Sequence, residues 1–223
     1  MTNTLMGLGA LKASISPAAI IQSVVRITRD LSHELAQAIE LTETPKWLVQ
    51  AIAAYEIRDA PYNTVNPAVG ARGVMQITPI TAVDGLYFAE KYRLLTAPVQ
   101  AIFQKYLGAR WPLALSYARK RSAKGGYLLA GALLHPEFNI LMGALLLRVG
   151  MIQHQDTDGE ANINKVVLQY NRGFTFGRKL MTPAMRNADA DTVYAIAPKG
   201  EAKHYVANLL APNAVIDQLR KKG

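Results

Sequence analysis

Three times this chain sets a hydroxyl residue directly before proline at the head of an apolar run: Ser16-Pro17, Thr44-Pro45 and Thr78-Pro79. A hydroxyl can accept a hydrogen bond from an unpaired amide in a helix's first turn. Proline at the first helical position loses no hydrogen bond there. Each pair therefore predicts a helix start. After the first, Ile20, Val24, Ile27, Leu31 and Leu35 recur three or four residues apart. That spacing is one apolar face of a helix, expected from Pro17 to Glu40 and fading near Thr42–Thr44. After the second, Trp47, Leu48, Ile52 and Tyr55 carry the next apolar face, and Glu56 falls at or near its end.

Punctuation predicts the rest. Pro98, Pro112 and Gly125-Gly126 divide residues 82–134 into two or three helices. Pro136 opens a helix through Gly150. Helices are expected over Ile163 to Tyr170, Glu201 to Leu210 and Asn213 to Lys222, with Asn171-Arg172-Gly173 ending the first of these. Residues 57–73, rich in Pro, Asn and Gly, read as a loop with at most a short strand pair. Residues 174–200 read as irregular. Alternating strand patterns are scarce, so the expected fold class is mostly α.

Half of the 223 residues are hydrophobic and 18% are charged, which supports a sizeable core and excludes wholesale disorder. The most apolar region, Tyr127 to Met151, is interrupted by His135-Pro136-Glu137. It reads as two buried helices, because a membrane span needs about 20 consecutive apolar residues. The first residues, MTNTLMGLGALKASIS, lack the basic start and long apolar core of a secretory signal. Without cysteine there can be no disulfide and no thiolate metal site. The net charge of +9 suits a polyanionic partner: wall polymer, acidic lipid or nucleic acid.

Metal and cofactor motifs are not apparent. His33, His135, His154 and His204 are scattered, with no paired metal-ligand spacing. Asp156, Asp158 and Glu160 resemble a calcium loop, but Gly159 stands at the fourth position, where the calcium motif wants glycine at the sixth. The stretch 156–164 therefore reads as a solvated loop. No metal or cofactor is expected. Glu56 is the remaining candidate for chemistry. A carboxyl that donates a proton near neutrality needs a partly apolar pocket. Tyr55, Ile57 and the preceding Ile52-Ala53-Ala54 could supply one.

The blocks PKWLVQAIAAYE, GARGVMQITPITA, NILMGALLL, VLQYNRG and EAKHYV occur in that order between Pro45 and Asn208. Together they resemble the catalytic domain of lytic transglycosylases of the soluble-transglycosylase type, in the lysozyme-like superfamily near goose-type lysozyme. The resemblance implies a lysozyme-like helical domain over residues 45–223. An N-terminal helical extension would occupy residues 1–44, and residues 84–134 would form an enlarged basic helical segment. It implies that Glu56 is the catalytic acid and base. Met75, Gln76, Tyr170, Asn171 and Tyr205 would bind substrate. Gly73, Asn139, Gly143 and Gly173 would shape and support the cleft. The amide of Gln76 offers both a donor and an acceptor, which suits an N-acetyl group.

The chain departs from that family at several points. Ile57 stands where a serine usually follows the acid. The loop from Glu56 to Gly70 is about one residue longer. Leu146 replaces an aromatic. The segment 84–134 carries Lys91, Arg93, Lys105, Arg110, Arg119, Lys120, Arg121 and Lys124 against Asp84 and Glu90. It reads either as a solvated surface or as a flank for anionic wall or membrane polymers.

The activity implied is cleavage of the β-1,4 bond between N-acetylmuramic acid and N-acetylglucosamine, with formation of a 1,6-anhydro product and lysis or penetration of the cell wall. One alternative is a goose-type hydrolytic muramidase acting as an endolysin, with Asp59 or another acid activating water. Another is a noncatalytic basic helical protein that binds membrane or nucleic acid. The expected partners are peptidoglycan glycan strands, anionic wall or membrane polymers, and virion proteins, with no specific nucleic acid. A basic wall-degrading chain without a recognisable signal peptide suggests a phage product. It would sit in the virion, or in the cytoplasm until release, and act in the periplasm and wall.

Overall fold

The computed structural model describes residues 16–222, and these are mostly helical. In chain order the helices are α1 (Pro17–Asp30), α2 (Ser32–Thr42), α3 (Lys46–Ile57), α4 (Pro79–Lys91), α5 (Ala97–Leu107), α6 (Trp111–Arg119), α7 (Lys124–Leu129), α8 (Pro136–Gln153), α9 (Ile163–Gly177), α10 (Ala190–Ile196), α11 (Glu201–Leu210) and α12 (Val215–Arg220). Extended structure among the described residues is limited to isolated bridges: Val65 with Arg72, Arg72 with Ile77, and Gln155 with Ala161. None of the described helices is long and apolar enough to cross a membrane. The expectation about the start of the chain, up to residue 15, lies outside the described residues.

Two of the three hydroxyl–proline pairs cap as their chemistry predicts. Ser16 Oγ accepts from the Ala19 amide at 3.2 Å, and Thr78 Oγ1 accepts from the Thr81 amide at 3.2 Å with Pro79 next in line. Thr44 does something else. It is buried, its hydroxyl donates to the Ala144 carbonyl at 3.0 Å, and it accepts from Thr42 Oγ1 at 2.9 Å. Helix α3 thus starts behind Pro45 without a side-chain cap.

The single helix expected from Pro17 to Glu40 is broken at Leu31, whose backbone leaves the helical region (φ −128°, ψ 33°). Asp30 ends the first piece, where the helix dipole disfavours a negative charge. Its carboxylate is taken by Arg29 at 2.7 Å and by the Tyr62 hydroxyl at 2.9 Å. Gly125 and Gly126 do not break a helix; they lie inside α7, and both are buried. Residues 174–200 are less irregular than their composition suggests, since α10 forms there behind Asp189, which caps the Thr192 amide at 2.7 Å.

The described residues divide into two compact units, one of residues 23–149 and one of residues 16–22 with 150–222. In the first unit α3 is buried almost all round, from Leu48 to Tyr55. Phe103 stacks on Trp111 and meets Phe138 edge-on, both with ring centroids 4.9 Å apart. Helices α4, α6 and α7 pack on one another. In the second unit α9, α10, α11 and α12 pack around Leu168, Leu180, Met185, Val193 and Val206.

Candidate functional site

Glu56 stands in the last turn of α3, half-buried between Tyr55 (5% exposed) and Ile57 (2%). Ile57 therefore anchors the helix end in the core, at the position where the resembled family carries a hydroxyl. Arg58 then turns the chain with a positive φ of 48°, a conformation that costs a non-glycine residue energy. Arg26 of α1 stabilises this exit. Its guanidinium donates to the Arg58 carbonyl and to the Ala60 carbonyl at 3.4 Å, and it lies 4.8 Å from the ring centre of Tyr62. Nothing in the local sequence points to Arg26, because its partners lie more than thirty residues away.

The segment after Glu56 closes on itself. The Gly73 amide donates to the Thr64 carbonyl at 2.9 Å, and Arg72 and Ile77 exchange two backbone bonds at 3.1 Å. Gln76 turns the chain with φ 45°, and its Nε2 donates to the Gly73 carbonyl at 2.8 Å. The side-chain donor of Gln76 is thus engaged within the turn.

Asn139, fully buried on α8, pins this turn from below. Its Oδ1 accepts from the Met75 amide at 2.7 Å, and its Nδ2 donates to the carbonyls of Arg72 (2.8 Å) and Leu133 (2.9 Å). Gly73 is required twice over. It has φ 72°, and a Cβ there would lie 2.4 Å from the Leu133 carbonyl oxygen and 2.5 Å from Asn139 Nδ2. Gly143, one turn along α8, makes room for Met75, since a Cβ on it would lie 2.5 Å from Met75 Cε. Gly73, Met75, Gln76, Asn139 and Gly143 therefore form one packed assembly. Met75 is wholly buried in it. Its side chain packs beneath the turn, against Gly143.

The next acids after Glu56 in the chain are Asp59, the alternative water activator, and Asp84 of the basic segment. Asp59 is exposed, and Asp84 is held by Arg121 at 2.8 Å. Arg119 grips Glu90 with three contacts of 2.6–3.0 Å, so the two acids of the basic segment neutralise two of its arginines. Lys105 pairs with Glu137 at the start of α8.

Tyr170, Asn171, Gly173 and Tyr205 belong to the unit of residues 150–222. Tyr170 and Asn171 are half-buried on α9. Helix α9 continues to Gly177, with a break at Gly173 (φ 76°, ψ 170°). Nothing lies within 4 Å of a Cβ built there, so the backbone angle alone demands glycine. Tyr205 is 1% exposed on α11.

This unit also holds a polar network that the sequence reading missed. Buried Lys165 donates to Asp156 Oδ1 at 3.1 Å, and the same carboxylate accepts from Asn162 Nδ2 and from the Asn187 amide at 3.0 Å. Asp156 is thus engaged by donors of the protein. Its carboxyl is lowered from the ordinary range: burial pushes it up, but the bonds from Lys165, Asn162 and Asn187 outweigh that. Next to it His154, 1% exposed, bonds through Nε2 to Gln169 Oε1 at 2.7 Å. Burial lowers its pKa to about 4. With Nε2 donating, Nδ1 is the bare nitrogen of a neutral ring, and it meets no hydrogen-bond partner among the described residues. Gly177 is needed here, because a Cβ on it would lie 1.9 Å from Gln169 Oε1. Among the described residues no group of three or more His, Asp and Glu could hold a metal ion.

No protein-family model matches the chain, and neither curated proteins nor solved structures provide a match.

Proposed function

We propose that this chain is a peptidoglycan lytic transglycosylase. The observation that supports the reading best is a half-buried glutamate at a helix end, followed in the chain by a loop that closes into a rigid turn. That turn is pinned by buried Asn139 and carries half-buried Gln76, whose amide would meet the substrate's N-acetyl group. Tyr170 and the Asn171–Gly173 turn enter the reading through the sequence resemblance alone.

In the proposed reaction Glu56 donates its proton to the glycosidic oxygen as the bond to the muramic acid C1 breaks. The substrate's own N-acetyl oxygen supports the positive charge at C1. Glu56, now a carboxylate, takes the proton from the 6-hydroxyl of the same sugar as that oxygen bonds to C1. The 1,6-anhydro ring closes, Glu56 recovers its proton and no water is consumed. A two-carboxylate glycosidase needs a second acid across the sugar. The pairing of Asp84 with Arg121 and the exposure of Asp59 favour the one-acid route.

The test is digestion of purified peptidoglycan. Products lighter by one water than the reducing-end sugars are expected from the wild type, and none from Glu56→Gln at an unchanged melting temperature. Reducing ends instead would assign the chain to the hydrolases, and undiminished activity of Glu56→Gln would remove Glu56 from the reaction.

A further inference from the structure

The basic segment carries a feature that its charge alone does not explain. Helix α7 lies by its backbone on the start of α4: a Cβ on Gly126 would be 3.2 Å from Pro79 Cβ, and one on Gly125 would be 3.0 Å from Val83 Cγ2. Both glycines are buried, yet the next residue, Tyr127, is 84% exposed, the most exposed of the large hydrophobic side chains described. Ile80, directly after Pro79, is 48% exposed. Lys124, one turn before Tyr127 on α7, is exposed and makes no ion pair among the described residues, whereas Arg119 and Arg121 are both paired.

This shoulder is tied to the candidate site by a short run of rigid contacts. Pro79 follows Thr78 and Ile77; Ile77 is bonded to Arg72; and the Arg72 carbonyl is held by Asn139, which also fixes Met75. Tyr127 is therefore carried by a helix that packs on Pro79, three residues after Gln76. An apolar patch of this size is small for docking a protein or a membrane, which takes several hundred Å² of contiguous surface. One exposed ring is enough to receive the C–H face of a single sugar, and a lysine three residues before it on the same helix suits the carboxylates that muramic acid and its stem peptides carry.

We infer that Tyr127, Ile80 and Lys124 form a distal glycan platform that holds long anionic strands beyond the bond being cleaved. This inference rests on the transglycosylase reading.

The experiment compares kcat/KM on long, uncross-linked glycan strands with kcat/KM on a short muropeptide tetrasaccharide, for the wild type, Tyr127→Ala, Tyr127→Phe and Lys124→Gln. Tyr127→Ala is expected to lower the long-to-short ratio about fivefold, from the loss of roughly one aromatic contact. Tyr127→Phe, which keeps the ring, should restore it. Lys124→Gln should lower the ratio about twofold at low salt and not at high salt, as for an exposed charge. An unchanged ratio for Tyr127→Ala would overturn the platform while leaving the transglycosylase reading intact. If the wild type cleaves neither substrate, that reading fails. Co-sedimentation with purified wall then decides the platform: equal binding with and without the Tyr127 ring contradicts it, and weaker binding without the ring supports it.

Discussion

The turn at Gly73–Gln76 and the segment around His154 are both held by buried polar side chains, but the chemistry differs. The turn is held by an amide: Asn139 makes three neutral bonds, and none of its partners titrates. The His154 segment is held by groups that do titrate, with a neutral imidazole buried beside a Lys165–Asp156 pair. An amide holds its geometry at any pH the protein meets. A buried histidine and a carboxylate hold theirs only while their protonation states last. The contrast predicts that the unit carrying the candidate site keeps its shape in acid longer than the unit carrying α9.

The largest effect that could break this contrast is expected at Asn139. Asn139→Ala leaves the Met75 amide and the Arg72 and Leu133 carbonyls buried without their partner, at a cost of about 4 kcal/mol. Urea unfolding monitored by hydrogen exchange in residues 23–149 should register that loss equally at pH 5 and pH 8. Acid is the next test. The folded pKa of His154, about 4, lies below its ordinary value of 6.5, so the folded state binds fewer protons than the unfolded chain between those values. Its contribution is complete above pH 6.5, falls as the pH drops, and is gone below pH 4, a change of roughly 3 kcal/mol. Exchange protection over residues 150–222, corrected for intrinsic rates, should follow that window, and His154→Asn should flatten it. Asp156, lowered by its donors, adds a further loss at still lower pH.

Lys165→Met should cost about 1–2 kcal/mol, because it leaves half-buried Asp156 without its cation. It should also raise the Asp156 carboxyl, which a carboxyl-labelled NMR titration reads. The smallest effect is expected at Arg26. Arg26→Ala should cost about 1 kcal/mol, most of it local. The readout is faster proteolytic cleavage near residues 58–62 with little change in melting temperature.

Local chemistry was legible where a residue acts on its near neighbours. Ser16 and Thr78 cap amides three residues on. The helical periodicity gave the apolar faces of α1 and α3, and the span of α11 is as the pattern reads. Thr44 carries the same local signal as Thr78, but it found a buried carbonyl one hundred positions away. Gly125-Gly126 look like a helix breaker and serve instead as the close contact that seats α7 on α4. Arg26, Lys165 and the His154–Gln169–Gly177 contact were invisible for the same reason: their partners are set by tertiary packing, not by spacing. Gly73, Asn139 and Gly143 were singled out through a resemblance of motifs. Their packing against Met75 supplies a physical reason for those residue types.

The central claim is that one carboxyl, Glu56, both gives and takes the proton in a cleavage that uses no water. Mass spectrometry of the sugars released from purified peptidoglycan in ¹⁸O-labelled water tests it most directly. The account predicts anhydro-ended products with no ¹⁸O from the wild type and no release by Glu56→Gln. Products that carry one ¹⁸O at a reducing end, or anhydro products made at the normal rate by Glu56→Gln, would contradict it.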